Sequence, residues 1–293
     1  MKITDYFARG DFVITAEVGP PKGFQIDHLL SDAVEFLSDV HAINVTDCQS
    51  SVMRLSSLAT CKGLKDRGLN PVIQLTCRDR NRIALQSDLL AAAYFGIDNM
   101  LALTGDHTVM GDTKEAKPVF DLDSVSLLHC VKSLENGYDI AGNALDGESP
   151  GFAKGAVVSP CSDSADLQLI KMERKVEAGA QFFQTQAVFD SEKFINFMDK
   201  ARAYNVPVQL GVIIPKSVGM ANFMNNNIAG ISIPPWVIDE LKADKELAKS
   251  GVTGIEIAAR VIRECRDYCQ GVHIMALGWE MHVPALLSQA GLR

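Results

Sequence analysis

The chain lacks the patterns that mark disulfide-rich, zinc-binding or metalloprotease sequences. Its six histidines form no H-E-x-x-H motif and its cysteines form no C-x2-C pair. An odd number of cysteines scattered along the chain predicts buried reduced thiols, and dispersed histidines predict no bound metal. The seven cysteines are Cys48, Cys61, Cys77, Cys130, Cys161, Cys265 and Cys269.

Long apolar runs and an excess of positive charge are also missing. No run reaches the roughly 18–20 residues of a membrane span, and no apolar signal segment follows Met1–Asp5. The net charge of -8 disfavours contact with nucleic acid or an anionic membrane surface. We therefore expect a cytoplasmic protein with neither a nucleic-acid nor a membrane partner.

Short apolar stretches recur along the chain with amphipathic stretches between them. The 293 residues, 47% of them hydrophobic, are enough for a large core. Strands are predicted at Phe12–Glu17, Ala42–Thr46, Val72–Thr76, Asn99–Leu103, Gly155–Ser159, Phe182–Gln186, Val208–Ile213 and Val272–Ala276. Helices are predicted to begin near Asp27, Ser51, Asn81, Asp121, Asp163, Ser191, Pro235 and Gly251.

Eight apolar strands alternating with eight helices are typical of a parallel sheet covered by helices. A doubly wound sheet usually has fewer strands and a G-x-G-x-x-G turn after the first, and this turn is absent. We predict an α/β fold, a single (β/α)8 TIM barrel over residues 1–293. Val109–Lys117 and Pro215–Trp236 exceed a minimal barrel and are predicted as walls or lids of a site.

Polar side chains collect where the predicted strands end. The segment Leu103–His107 contains a glycine turn followed by the carboxylate of Asp106. One βα unit earlier, another predicted strand is followed by the charged segment Arg78–Arg82. Barrel enzymes take their catalytic residues from such ends, so we expect a ligand site there above an apolar interior. The residues are Glu17, Thr46, Asp47, Thr76, Arg78, Asp106, Ser159, Gln184, Gln186 and Lys216.

Six segments at strand ends or on the following helix resemble, in their order, the methylenetetrahydrofolate reductase family. They are Thr15–Lys22, Asn44–Asp47, Leu75–Asn81, Ala102–Asp106, Arg174–Ala180 and Thr185–Gln186. The C-R-D-R-N motif at Cys77–Asn81 resembles the branch found beside methyl-transfer and anaerobic one-carbon pathways.

The resemblance implies a flavoenzyme with noncovalent FAD on a (β/α)8 barrel. Its substrate would be 5,10-methylenetetrahydrofolate, reduced to 5-methyltetrahydrofolate by hydride transfer from the N5 atom of reduced flavin. The electron donor stays open between NAD(P)H and an iron–sulfur partner protein. The oligomeric state stays open between homo- and hetero-oligomers.

The resemblance also implies three catalytic residues. Glu17 would be the general acid, because opening the methylene bridge requires protonation of a weakly basic nitrogen. Asp106 would lie near the flavin ring and stabilise positive charge on the folate. Gln186, with Gln184 two residues before it, would contact the folate, since an amide both donates and accepts.

The cofactor residues implied by the resemblance lie on strands three to five and the helix after strand five, with one threonine on strand two. They are Thr46, Thr76, Arg78, Thr104, Gly105, Asp106, Ser159, Asp166, Arg174 and Lys175. The chain departs from many members by Gln74 in place of histidine and Thr104 in place of arginine, and Arg78 could replace that charge. Either Asp166 or Gln168 would take the family's carboxylate position.

Two alternatives remain beside the reductase. The first is a flavin-free module that binds a pterin for methyl transfer, against which Asp106 and the Arg174–Lys175 pair argue. The second is an electron-transfer subunit of a one-carbon complex, which the Glu17 and Gln186 pair disfavours. An aldolase lacks a plausible Schiff-base lysine or metal cluster.

Overall fold

A computed structural model describes residues 1–228, 230–243 and 245–293. Eight parallel strands pair in chain order, and the eighth pairs with the first, so the barrel is closed. This confirms the predicted (β/α)8 fold. The strands are β1 (Val13–Val18), β2 (Ala42–Val45), β3 (Pro71–Thr76), β4 (Asn99–Leu103), β5 (Ala153–Val158), β6 (Phe182–Ala187), β7 (Val208–Ile213) and β8 (Gly271–Met275).

The helices surround the barrel, apart from the first, which lies against its amino-terminal end. They are α1 (Ile3–Ala8), α2 (Asp27–Phe36), α3 (Ser57–Asp66), α4 (Arg82–Tyr94), α5 (Ser124–Glu135), α6 (Ala165–Glu177), α7 (Ser191–Ala201), α8 (Val218–Asn227), α9 (Pro235–Ala243), α10 (Lys245–Lys249), α11 (Val252–Cys265) and α12 (Val283–Gln289).

Side-chain caps account for several of the predicted helix starts. Asn81 accepts from the backbone N–H groups of Ile83 and Ala84 at 3.1 Å. Asp123 and Asp190 cap α5 and α7 in the same way. Each cap satisfies a donor that the first helical turn leaves open, which is why these starts are visible in the sequence.

One predicted helix start was wrong. The helix placed near Ser51 begins at Ser57, because Cys48 and Ser50 adopt left-handed backbone angles and Gln49–Ser51 forms only a 3-10 turn. The segment Pro215–Trp236, predicted as a wall or lid, contains α8, capped by Ser217 at 3.2 Å. Ala229 of that segment lies outside the described residues.

The lower barrel interior is apolar and is closed by α1. Val13, Val72, Leu101 and Phe182 pack there with Ile3. The backbone N–H of Ile3 also donates to Asn99 Oδ1 at 2.7 Å, which holds α1 across the barrel end. The floor beneath the active end is therefore an apolar layer closed by α1.

The middle of the barrel is polar, so the expectation of an apolar interior is met only by the lower layer. Asn44 and Gln184 exchange amide hydrogen bonds of 2.8 and 3.1 Å. Gln184 Nε2 donates to Gln209 Oε1 at 3.1 Å, and Gln209 Nε2 donates to Thr15 Oγ1 at 3.2 Å. Because these buried groups satisfy one another, the barrel tolerates their burial.

Candidate functional site

A cavity of about 340 Å³ opens at the carboxyl ends of the strands. Nine of the predicted site residues line it: Glu17, Thr46, Asp47, Thr76, Arg78, Gly105, Asp106, Gln184 and Gln186. The wall also contains Gln49, Ser50, Gln74, Leu101, Leu103, Val157, Thr185, His273 and Met275. The mixture of charged, amide and apolar groups suits a flat heteroaromatic ligand with polar edges.

Glu17 is the buried carboxylate of this cavity, with 8% of the residue exposed. Its Oε2 atom accepts from Gln74 Nε2 at 2.9 Å and lies 3.6 Å from His273 Nε2. Oε1 has no protein partner among the described residues, and Glu17 lines the cavity. One carboxylate oxygen is thus held by the protein and the other is available to a ligand.

Thr46 and Gly105 lie on the part of the wall formed by the loops after β2 and β4. Among the described residues the buried Thr46 Oγ1 has no hydrogen-bond partner, which is costly unless a ligand supplies one. Gly105 has a φ of +92°, and a Cβ there would lie 3.1 Å from the Cβ atoms of Thr76 and Arg78. Glycine therefore allows the β4 loop to pack closely on β3.

Asp47 fixes the end of β3 from below the cavity surface. Its Oδ2 atom accepts from the backbone N–H of Thr76 at 2.8 Å and from Thr76 Oγ1 at 3.0 Å. The same oxygen pairs with Arg80, whose Nη1 donates to Asp88 at 2.8 Å. This ion network orients Thr76 toward the cavity, and it gives a physical reason for Arg80 in the C-R-D-R-N motif.

Arg78 joins three of the loops that form the cavity and is 1% exposed. Its guanidinium donates to Asp79 at 2.8 and 2.6 Å and to the Cys48 carbonyl at 3.0 Å. A longer contact of 3.4 Å reaches the Asp106 carbonyl from Nη1. Because most of its donors are used internally, Arg78 organises the loops as well as placing positive charge at the cavity wall.

A bulge in β6 positions the glutamine side chains. Thr185 and Gln186 together lie opposite the single residue Leu210 of β7. A Cβ on Gly211 would lie 2.2 Å from the Thr185 carbonyl oxygen, so glycine is required beside the bulge. Gln186 is half-buried at the cavity, whereas Gln184 is only 1% exposed and has its amide engaged in the barrel interior.

Five predicted cofactor residues do not line the cavity. Thr104 accepts from the backbone N–H of Ser124, the first residue of α5, at 3.1 Å. Asp166 is exposed and pairs with Lys200 at 2.8 Å on the outer surface, and Arg174 is exposed near the end of α6. Ser159 is half-buried, and its backbone N–H donates at 3.4 Å to Gln168, the other candidate for the carboxylate position.

Lys175 is the fifth of these residues and packs between α6 and the barrel. Its Nζ donates to the Val157 carbonyl at 2.7 Å. Burial, and to a smaller extent the neighbouring charge of Lys171, lowers the pKa of Lys175 to about 8. The positive charge predicted to bind a cofactor phosphate is therefore directed at the strand end.

The lowered pKa of Lys175 predicts a pH-dependent stability. Between about pH 8 and 10.5 the unfolded chain holds a proton that the folded chain has lost, so the free energy of unfolding rises with pH. In Lys175→Met this contribution is absent. Urea unfolding at several pH values should therefore show the wild type gaining stability relative to the variant across that range, and parallel curves would contradict the assignment.

Sequence reasoning missed Gln74 and His273 as members of the site. Both lie on inward-facing positions of their strands, and the available signal was a polar residue where a barrel strand should be apolar. Gln74 was noticed only as a departure from histidine. His273 was placed correctly in β8 but without a role.

The fold and the cavity together define an enzyme-type (β/α)8 barrel with a ligand site at its carboxyl end. The chain belongs to the methylenetetrahydrofolate reductase family of oxidoreductases, whose family model matches residues 2–291. No helix in the described parts of the chain is long and apolar enough to span a membrane. Those parts also contain no cluster of three metal-ligating side chains.

Relatives in two organisms show how far the similarity extends. The chain is 28% identical to 5,10-methylenetetrahydrofolate reductase of Escherichia coli (strain K12) over 267 residues, 87% of this chain and 82% of that protein. It is 28% identical to methylenetetrahydrofolate reductase 2 of Schizosaccharomyces pombe over 239 residues, 75% of this chain and 35% of that protein. The family predicted from the six segments is thereby confirmed.

Solved structures show the same fold at low sequence identity. A Clostridium thermocellum protein described as binding two copies of 5-methyl-5,6,7,8-tetrahydrofolic acid superposes with a TM-score of 0.69 at 15% identity, covering 99% of this chain and 98% of that one. A 2,3-dimethylmalate lyase superposes with a TM-score of 0.51 at 10% identity, covering 99% and 85%. At these identities the likeness supports the barrel fold alone.

Proposed function

We propose that this protein is a flavin-dependent reductase that converts 5,10-methylenetetrahydrofolate to 5-methyltetrahydrofolate. The observation that carries the proposal is Glu17, a buried carboxylate with one oxygen free in the cavity of a family barrel. The named activity of the Escherichia coli relative supports the same reaction.

The residues of the cavity fit the ring system of a flavin. The unpartnered Thr46 hydroxyl can bond a ring heteroatom, and Leu101, Leu103 and Val157 offer an apolar surface. The side chains predicted for the phosphates and the adenosine of FAD, however, lie outside the cavity at Asp166, Arg174 and Lys175. The fit therefore supports the ring of the proposed FAD more strongly than its adenosine half.

The reaction consumes one hydride and one proton, and the bound flavin would supply the hydride to the methylene carbon. Glu17 would deliver the proton to a bridge nitrogen of the folate, so that the bridge opens to an iminium cation. The Asp106 carboxylate, at the cavity wall, would stabilise that cation. Gln186 would bind the pterin edge through its amide.

A flavin-free pterin-binding module for methyl transfer is the second candidate. The observation that favours it is the outward placement of Asp166 and Arg174, which leaves no cationic phosphate site from α6 in the cavity. An electron-transfer subunit is less well supported, because such a subunit has no use for a buried carboxylate with a free oxygen. Both candidates keep the barrel but differ from the reductase in a measurable property. The pterin-binding module would lack the visible absorption of a flavin, and the electron-transfer subunit would not turn over folate.

The test combines the visible spectrum of the purified protein with its product. We expect a flavin absorption band, release of the flavin on denaturation, and formation of 5-methyltetrahydrofolate when dithionite-treated protein is given methylenetetrahydrofolate without oxygen. A colourless protein that binds folate and forms no product after flavin is added would overturn the proposal and favour the pterin-binding module. Replacing dithionite by NADH, NADPH or a reduced ferredoxin then identifies the electron donor.

Thr46→Val tests the flavin position. Valine matches threonine in shape and removes a buried hydroxyl that has no partner in the described part of the chain, so the apoprotein should be no less stable. Flavin affinity should fall by roughly 2- to 10-fold, the value of one neutral hydrogen bond. Flavin titration by fluorescence quenching measures this, with Thr60→Val as the matched control, because Thr60 Oγ1 is also buried without a partner and does not line the cavity. Equal affinities for the two variants would contradict the placement of the ring beside Thr46.

A further inference from the structure

The side chains of Gln74 and His273 both lie close to the same oxygen of Glu17, Oε2. Gln74 Nε2 donates to Oε2 at 2.9 Å, and His273 Nε2 lies 3.6 Å from that atom, beyond hydrogen-bond length but close enough for a charge–dipole contact. Resting on the proposed function, we propose that Gln74 and His273 are positioning residues that keep Oε2 of Glu17 as an acceptor. The transferable proton is thereby held on Oε1, facing the ligand.

The tautomer of His273 follows from the hydrogen bonds of Thr15. Gln209 Nε2 donates to Thr15 Oγ1 at 3.2 Å, whereas the two hydrogens of Gln184 Nε2 go to the nearer Asn44 Oδ1 and Gln209 Oε1, each at 3.1 Å. The hydroxyl hydrogen of Thr15 then goes to His273 Nδ1 at 3.0 Å, since the alternative acceptor, the Val272 carbonyl, is 3.5 Å away. On these distances we assign the ring proton of neutral His273 to Nε2, the atom that faces Glu17.

Gln74 is fixed independently of the histidine. It is 5% exposed on β3, and its backbone carbonyl accepts from Ser57 Oγ at 2.9 Å, which ties the strand to the start of α3. An ionised carboxylate only accepts, so the amide presents its nitrogen to Glu17. The donors from β3 and β8 thus approach the same oxygen from two sides.

This arrangement makes the two oxygens of Glu17 inequivalent. A proton on Oε2 would face two N–H donors and would cost the 2.9 Å hydrogen bond from Gln74. A proton on Oε1 costs nothing in the protein, because Oε1 has no partner among the described residues. The other charged groups of the cavity wall are Asp47, paired with Arg80, Arg78, paired with Asp79, and the Asp106 carboxylate.

The vibrational spectrum of the protonated Glu17 carboxyl tests this directly and needs no substrate. In an acid-minus-neutral infrared difference spectrum, the band that disappears in Glu17→Gln is assigned to Glu17. If Oε2 is the carbonyl oxygen that accepts from Gln74, Gln74→Met should shift this band to higher frequency, since the carbonyl loses a hydrogen bond. His273→Leu should shift it less, and His273→Gln, which keeps an N–H donor, should restore it toward the wild-type position.

A kinetic measurement on the same proteins separates positioning from a purely structural role. Gln74→Met should slow reoxidation of the reduced protein by methylenetetrahydrofolate about 10- to 100-fold, the value of a hydrogen bond to a charged group, and leave reduction by the donor unchanged. Gln86→Met is the matched control, because Gln86 on α4 also makes two hydrogen bonds and does not line the cavity. Gln74→Asn, whose amide is too short to reach Glu17, replaces Gln74→Met if that variant does not fold.

The outcomes distinguish this inference from the proposed function. An unshifted Glu17 band in both Gln74 variants, or the absence of any such band in the wild type, overturns the positioning role. Reoxidation rates of the Gln74 variants equal to that of Gln86→Met overturn it as well. A shifted band in a protein that forms no 5-methyltetrahydrofolate instead supports the positioning role and refutes the proposed reaction.

Discussion

Glu17→Gln should abolish reaction with the folate and spare reaction with the electron donor. Glutamine keeps the size of the side chain and can still accept from Gln74, but it has no proton to deliver to the methylene bridge. Reoxidation of the reduced protein by methylenetetrahydrofolate should therefore fall by roughly 10²- to 10⁴-fold, the usual contribution of general acid catalysis. Stopped-flow absorbance measures the two half-reactions separately.

The pattern of the two half-reactions decides the role of Glu17. If both slow together, Glu17 supports the structure of the cavity. If neither slows, the acid is another residue, and the role implied by the family resemblance does not apply at this position. Flavin content measured on each preparation excludes loss of the cofactor as the cause.

Asp47→Ala should produce the largest loss of stability. The Asp47 carboxylate is 5% exposed, accepts from the backbone and hydroxyl of Thr76, and pairs with Arg80. Removal leaves Arg80, mostly buried, with Asp88 as its remaining carboxylate partner and leaves the Thr76 N–H unsatisfied. We expect the free energy of unfolding in urea to fall by about 3–5 kcal/mol, as for other buried pairs that lose one member.

Lys200→Ala is the control for the Asp47 prediction. Its partner Asp166 lies on the outer surface, and the two side chains are 61% and 83% exposed. Such pairs contribute less than about 1 kcal/mol because solvent screens them. If Asp47→Ala were no more destabilising than Lys200→Ala, the network beneath Thr76 would have no structural importance.

Much of the barrel could be predicted because its signals are local. Each strand is a short apolar run, and caps such as Asn81 mark helix starts within one turn. The failures had causes that sequence patterns do not show. The helix predicted near Ser51 was displaced by left-handed backbone at Cys48 and Ser50, and α8 was hidden in a segment rich in asparagine, glycine and proline.

The site residues also divide into those that local sequence patterns predict and those that they do not. Glu17, Thr46 and Asp106 follow or end strands, so their convergence follows from the barrel itself. Whether a helix residue such as Asp166 or Arg174 reaches the cavity depends on the rotation of α6, which a shift of one or two residues reverses. The roles of Gln74 and His273 depend on contacts between β1, β3 and β8 that are distant in sequence.

The central claim is that the barrel transfers a hydride to methylenetetrahydrofolate through a bound flavin. The most direct test mixes photoreduced protein with methylenetetrahydrofolate in an anaerobic stopped-flow instrument and quantifies the folate product from the same reaction. Our account predicts recovery of the oxidised flavin spectrum together with one 5-methyltetrahydrofolate per flavin. A flavin that stays reduced in the presence of saturating folate, with no 5-methyltetrahydrofolate formed, would contradict it.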